Sequence, residues 1–185
     1  MNRVIIGLTG RKQSGKTTAA AYLVERGFVR LSFAAPLKAM VATLLANGGL
    51  DTDEIIALMD DDKEQVIPGM NCSVRHLLQT LSTEWGRNCL DPGLWVDLMH
   101  KRLERCGDLI VIDDVRFEDE ALLIRELGGV IIHIGRADLD AGTDTHASEA
   151  GIMNHYGDRF VDNDGALDDF LYEVGATCDW VLIHS

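Results

Sequence analysis

Eight consecutive residues carry the clearest chemistry in this sequence. Gly10-Arg11-Lys12-Gln13-Ser14-Gly15-Lys16-Thr17 has the G-x-x-x-x-G-K-[ST] spacing that wraps a polyphosphate. The glycines let consecutive backbone N–H groups curl around one phosphate, and a helix opening at the end of the loop adds partial positive charge. The Lys16 ammonium can then reach the β- and γ-phosphates, and the Thr17 hydroxyl can hold Mg²⁺. Arg11, Gln13, Ser14, Gly15, Lys16, Thr17 and Thr18 are therefore the expected contacts of a bound ATP or GTP, with Mg²⁺ as the cofactor that accompanies it.

A second group of residues could take the acceptor of a phosphoryl transfer. From Ser73, the apolar residues Val74, Leu77, Leu78, Leu81 and Trp85 follow i, i+3, i+4, i+7, i+11, which predicts one buried helix face. Arg75, Gln79, Thr83 and Arg87 recur every fourth position on another face. Two guanidinium forks, an amide and a hydroxyl suit a phosphate monoester and a base edge, and Glu84 beside them can accept hydrogen bonds. Taken alone, the stripe also fits a solvated helix face. A third group is Asp113-Asp114-Val115-Arg116, which follows the apolar run Leu109 to Ile112. Ligands of open parallel sheets sit at the carboxyl ends of strands. There Asp114 could orient water around Mg²⁺ and Arg116 could balance charge on the transferring group, although an ordinary surface pair is the other reading. Arg136 follows the run Val130 to Ile134 in the same way. Lys16, Asp114, Arg116 and Arg136 are thus the expected catalytic groups, with Thr17 and Asp114 holding the metal, partly through water. A phosphate acceptor needs no general base, because its oxygen is already anionic. A hydroxyl acceptor would need one, and Asp114 could serve.

The elements that must position these groups alternate between short apolar runs and helical patterns, which predicts an α/β fold with a mainly parallel sheet. Val4 to Leu8 reads as the strand before the loop and Thr17 to Arg26 as the helix after it. Phe28 to Phe33 reads as a strand, and Ala35-Pro36 opens a helix running to Asn47-Gly48-Gly49. Residues 50–70 are the least regular, with a short helix over Asp51 to Met59 and a solvated acidic run at Asp60-Asp61-Asp62. Asp91-Pro92 opens a helix that ends at Gly107, and Asp119 to Leu127 forms another. Phe160-Val161 reads as a final short strand, and Asn163-Asp164 caps a helix to Val174. Between them, the polar stretch from Arg136 to Asp158 stands where a lid over the phosphates would close. His146, Glu149 and His155 lie there at spacings that argue poorly for a metal; His146 contacting a phosphate fits better.

At 185 residues the chain has the size of one domain with a real core. A net charge of −13 argues against a phosphate-backbone DNA or RNA binder, which needs a basic face. No run approaches the roughly 20 apolar residues of a membrane span, and the apolar stretch after Met1-Asn2-Arg3 is too short for a signal peptide. A cytoplasmic protein follows as the expectation. Cys72, Cys89, Cys106 and Cys178 include no C-x-x-C pair and read as reduced thiols without metal.

An ordered set of these motifs resembles the bacteriophage deoxynucleoside monophosphate kinases, relatives of the adenylate-kinase-like P-loop kinases. It comprises Gly7-Leu8-Thr9-Gly10 leading into Ser14-Gly15-Lys16-Thr17-Thr18, Ser32-Phe33-Ala34-Ala35-Pro36-Leu37-Lys38, Arg75-x-x-Leu78-Gln79 with Thr83-Glu84 and Arg87, Asp114-Val115-Arg116-Phe117 with Glu120-Ala121, Gly128-Gly129, Arg136, and His146-x-Ser148-Glu149. The resemblance implies a P-loop domain of five parallel strands in the order 2-3-1-4-5, with helices on both faces. It further implies a helical monophosphate-binding insertion at about residues 33–90 and a lid at about 136–158. Lys38, Arg75, Gln79, Glu84 and Arg87 would surround the acceptor. The activity implied is Mg²⁺-dependent transfer from ATP to a (deoxy)nucleoside monophosphate, for DNA precursor supply; monomer and homodimer both stay open. Residues 48–72 match nothing in that pattern. A weaker similarity to dephospho-coenzyme A kinases shares the loop, the lid position and the turn Asn163-x-Gly165. A kinase of a small metabolite's hydroxyl and an ATP-binding regulatory protein are the remaining alternatives.

Overall fold

The apolar runs become five strands, β1 (Val4–Thr9), β2 (Val29–Leu31), β3 (Leu109–Ile112), β4 (Val130–Gly135) and β5 (Arg159–Asp162). A computed structural model of the chain describes residues 3–61, 63–137 and 152–184. The strands form one sheet in the order β2-β3-β1-β4-β5, and every neighbouring pair is parallel. This is the expected topology. All six residues of the central strand β1 are buried, as a strand covered on both faces requires. The helices are α1 (Lys16–Glu25), α2 (Ala35–Asn47), α3 (Thr52–Ile56), α4 (Val74–Gln79), α5 (Leu94–Leu103), α6 (Glu118–Glu126) and α7 (Leu167–His184). None among the described residues is long and apolar enough to cross a membrane.

Two compact units divide the chain: Met1–Ser32 with Met99–Ser185, and Phe33–Leu98. In the first unit, α1 and α7 bury Ala19, Ala20, Leu23, Phe170, Val174 and Cys178 against Ile6, Leu8, Val111, Ile132, Ile134 and Val161. Fully burying a side chain such as Leu23 contributes about 2–3 kcal/mol. The helix expected to stop at Val174 instead continues to His184. Gly175, just beyond that expected end, is a packing contact inside the helix. A Cβ on Gly175 would come within 2.7 Å of the Tyr22 hydroxyl. Arg26 fixes the same crossing, donating to the Gly175 carbonyl (3.2 Å) and to Asp179 (2.5 Å).

The second unit has its own core of Val41, Leu45, Leu58, Met59, Ile67 and Val74. Asp51 opens α3 with a reciprocal capping box: its carboxylate accepts from Glu54 N–H (2.9 Å), and Glu54 accepts from Asp51 N–H (2.8 Å). Ser73 caps α4 through the His76 N–H at 3.2 Å. Beyond α4 the expected regular helix widens. Thr80–Leu90 is π-helical, ending with Asp91 N–H donating to the carbonyl five residues back, Gly86, at 3.0 Å. The wider turn moves later side chains off the α-helical face, and Trp85, expected inward, is 40% exposed. Trp95 of α5 fills the interior instead, at 4% exposure, with its indole N–H donating to the Ser82 carbonyl at 2.8 Å.

Candidate active site

The loop after β1 has the conformation its glycines make possible. Gly10 has φ 142°, and a Cβ there would stand 2.3 Å from the Ile134 carbonyl oxygen. Gly15, at φ 108°, precedes the first turn of α1, which no side chain caps. A helix N-terminus without a side-chain cap suits an anionic ligand. Lys16 folds back over the loop, its Nζ donating to the carbonyls of Gly10 (2.7 Å) and Arg11 (2.6 Å). Ser14 is 1% exposed, and its hydroxyl has no hydrogen-bond partner among the described residues. A buried unpaired hydroxyl costs about 1–3 kcal/mol, so this loop is built to receive acceptor oxygens.

A cavity of about 660 Å³ opens at the loop, lined by Gln13, Gly15, Lys16, Thr17 and Thr18 together with Arg136, Ala137, Asn163, Asp164, Gly165 and Leu167. That volume suits a nucleotide-sized ligand. Pairing of β4 with β5, with Gly135 opposite Asp162, brings the two following segments side by side. Asp164 accepts from Ala137 N–H at 2.6 Å, and the Asn163 amide donates to the Ser14 carbonyl at 2.9 Å. Asn163, Asp164, Gly165 and Leu167 line the cavity but were not assigned to it from the sequence, where Asn163 and Asp164 read as a helix cap and Asn163-x-Gly165 as a turn shared with dephospho-coenzyme A kinases. Arg11 contributes through its carbonyl and does not line the cavity.

Asp114 and Arg116 stand outside this cavity lining, at the end of β3, the strand beside β1. Asp113 pairs with Arg30, whose Nε donates at 2.7 Å. Asp114 accepts from the Ser32 hydroxyl at 2.6 Å. Buried Glu120 holds the segment, accepting from Arg116 N–H (2.9 Å) and Phe117 N–H (3.2 Å). Among the described residues, no cluster of three His, Cys, Asp or Glu could hold a metal. Of the expected lid, residues 138–151 lie outside the described residues, and His146 and Glu149 with them. Its return is anchored on Asp158, which accepts from Arg125 Nη2 (2.8 Å), His133 Nε2 (3.0 Å) and His155 N–H (2.9 Å). Burial opposes ionisation of this carboxyl, yet these hydrogen bonds hold it below the ordinary carboxylate range.

The second unit carries the other predicted residues. Lys38 lies in α2, Arg75 and Gln79 in α4, Glu84 and Arg87 on the π-helical segment. Arg75 pairs with Glu64, and Arg87 donates to the Ser82 hydroxyl at 2.9 Å. Four-residue steps advance around an α-helix by about 40° and retreat around a π-helix of about 4.4 residues per turn by about 30°. The stripe from Arg75 to Arg87 therefore spans about 70°, where an unbroken α-helix would spread it over about 120°. The widened turns gather these side chains. Within the stripe, the Thr83 hydroxyl is buried without a hydrogen-bond partner among the described residues.

Comparison with known proteins agrees with this geometry. TT1252 from Thermus thermophilus shares the fold across its crystal structure, with a TM-score of 0.54 at 19% identity, covering 100% of this chain and 98% of that one. A relative from Acanthamoeba polyphaga mimivirus, provisionally assigned as a deoxynucleotide monophosphate kinase, is 37% identical over 95% of this chain and 96% of its own. The deoxynucleotide monophosphate kinase of Enterobacteria phage T4 is 31% identical over 57% of this chain and 45% of its own length. The deoxynucleoside-5'-monophosphate kinase of Escherichia phage T5 is 27% identical over 68% and 53%. This match thus spans about half of either phage protein. The family model described as deoxynucleotide monophosphate kinase matches residues 51–174, from the acidic stretch that fitted no motif to the middle of α7. With a full-length relative, a matching family model and a phosphate loop in a parallel sheet of the expected order, this chain belongs to the deoxynucleotide monophosphate kinase family.

Proposed function

We propose that the protein transfers the γ-phosphoryl group of ATP to a deoxynucleoside monophosphate, giving ADP and the deoxynucleoside diphosphate, with the donor in the loop cavity and the acceptor on the stripe from Arg75 to Arg87. The observation that carries the donor site is the loop itself, where a buried hydroxyl without a described partner and a lysine resting on loop carbonyls await phosphate oxygens. Triphosphate oxygens can take Lys16 from the carbonyls of Gly10 and Arg11 and receive the Ser14 hydroxyl. Arg136, across the cavity lining, balances charge on the transferring group. Asn163 fixes the loop through the Ser14 carbonyl, and the turn to Leu167 offers a wall for the nucleoside.

In this reading Thr17, which lines the cavity, and Asp114, at the end of β3 and outside that lining, would hold Mg²⁺ through hydroxyl and carboxylate oxygens, partly through water, with the substrate's phosphates completing the set. Mg²⁺ held by these residues would supply charge neutralisation on the ATP phosphates. The chain's own work is positioning. An acceptor phosphate already presents an anionic oxygen, so no side chain has to remove a proton. Residues 33–90 form the acceptor-binding part in this reading, with Lys38, Gln79 and Glu84 completing its contacts.

Steady-state kinetics of ADP release with each deoxynucleoside monophosphate test the assignment. Arg75→Ala should raise the acceptor KM roughly 10- to 100-fold, the worth of a charge-assisted hydrogen-bonded pair, with the KM for ATP within about twofold. An unchanged acceptor KM in a folded Arg75→Ala protein removes the stripe from the acceptor site.

A further inference from the structure

The Arg75 guanidinium is held by a carboxylate that no motif predicts. Its Nε donates to Glu64 Oε1, and Glu64 belongs to the irregular stretch in which the sequence shows no motif, although the family model spans it. This stretch is firmly built. The Arg75 backbone N–H donates to the Lys63 carbonyl at 2.9 Å, and Ile67 N–H to the Cys72 carbonyl at 3.0 Å. Val66 and Ser73 form an antiparallel bridge, and Ile67 is wholly buried in the core of its unit. Glu64 is therefore presented to Arg75 by a strut tied both to the start of α4 and to the hydrophobic core.

The atom engaged decides what the pair can do. A guanidinium offers five N–H donors in a planar fork, and phosphate is best bound by two of them in parallel. Glu64 takes Nε, the donor nearest the stem. The two terminal nitrogens have no partner among the described residues, so the end of the fork is available for a bidentate contact. The burial is unequal: the Arg75 side chain is 23% exposed and that of Glu64 is 64% exposed. An ion pair so exposed adds little to stability, between nothing and about 1 kcal/mol. Stability is thus a poor reason for the strut, and orientation a good one.

We infer that Glu64 is a positioning residue for acceptor binding, which locks the Arg75 side chain through Nε so that its two terminal nitrogens meet the monophosphate already ordered. This rests on the proposed assignment of Arg75 to the acceptor phosphate. The carboxylate also lowers the local positive potential, so the benefit comes from geometry and not from charge. Glutamine keeps an oxygen that can accept from Nε and removes the charge, whereas alanine removes both.

The test is steady-state kinetics of Glu64→Ala, Glu64→Gln, Arg75→Ala and the double variant Glu64→Ala/Arg75→Ala, with thermal unfolding of each. Glu64→Ala should raise the acceptor KM roughly 3- to 10-fold, the cost of immobilising one flexible side chain on binding, while kcat and the KM for ATP stay within about twofold. Glu64→Gln should restore the acceptor KM to within about twofold of the parent, because orientation survives. In the Arg75→Ala background, Glu64→Ala should add nothing, since the effect passes through Arg75. A lowered acceptor KM in Glu64→Ala would mean that the carboxylate competes with phosphate, and would overturn the inference. An unchanged KM, or an equal effect in the Arg75→Ala background, would overturn it as well. If Arg75→Ala itself leaves the acceptor KM unchanged, it is the assignment of the acceptor site that fails.

Discussion

Replacing Gly86 with alanine separates two physical effects of opposite sign. Gly86 lies within the π-helical segment that carries Glu84 and Arg87, and its Cα faces the indole of Trp95. An added Cβ would stand 2.5 Å from Trp95 Cζ2 and 2.6 Å from both Cε2 and Nε1, about 1 Å inside ordinary contact. The ring cannot retreat freely: it is 4% exposed, and its N–H is committed to the Ser82 carbonyl at 2.8 Å. Overpacking of this kind costs about 1–3 kcal/mol, and losing a buried indole hydrogen bond adds about 1 kcal/mol. Removing a glycine from a helix interior contributes up to about 1 kcal/mol in the opposite direction. The net is a destabilisation of about 2 kcal/mol, which for a chain of this size lowers Tm by about 4–8 °C. Thermal unfolding followed by circular dichroism measures the shift, and kinetics should show a raised acceptor KM with little change in the KM for ATP. A Gly86→Ala protein at least as stable as the parent, with an unchanged acceptor KM, would refute the packing of Trp95 on Gly86 and the role given to the widened turns.

Lys16→Ala should lower kcat by roughly 10²- to 10³-fold, the scale of one preorganised donor at developing charge, with thermal unfolding unchanged within about 1 °C; a kcat within threefold of the parent would remove Lys16 from the transfer step. Asn163→Ala deletes the amide that holds the Ser14 carbonyl, and should raise the KM for ATP several-fold while the acceptor KM stays put. Asp158→Asn leaves Arg125 and His133 without their shared carboxylate, and should cost about 3–5 kcal/mol at neutral pH. The sign of its pH dependence follows from a folded-state pKa held below the ordinary value. Asp158 then contributes stability above about pH 4, the unfolded carboxylate range, and loses it as pH falls toward the folded value. Chemical denaturation between pH 3 and 7 should accordingly show the parent and Asp158→Asn converging in acid.

The sheet and the phosphate loop were legible because local signals and tertiary structure agree there. Val4 to Leu8 is apolar on both faces, and Gly10 and Gly15 take the positive φ values that the motif's glycines allow. Three features were not legible. The helix expected to end at Val174 runs on through Gly175, which packs against Tyr22, and a sequence does not show what a glycine faces. The widening from Thr80 to Leu90 leaves the residue types unchanged and alters only their phase, so an α-helical period placed Trp85 inside, where the structure leaves it 40% exposed. Asn163 reaches Ser14 across 149 positions of sequence, and Glu64 meets Arg75 only because an irregular strut folds back on α4. Motif spacing records chemistry within an element, whereas these residues act between elements.

The central claim is that phosphate leaves ATP only for a nucleotide acceptor. Phosphorus NMR of the protein with ATP and Mg²⁺, first alone and then with each deoxynucleoside monophosphate in turn, measures this directly. The account predicts negligible ADP or inorganic phosphate before addition, then one deoxynucleoside diphosphate formed for each ADP, with Lys16→Ala forming it roughly 10²- to 10³-fold more slowly. Inorganic phosphate released at the same rate with and without acceptor, or no diphosphate from any deoxynucleotide, would contradict it.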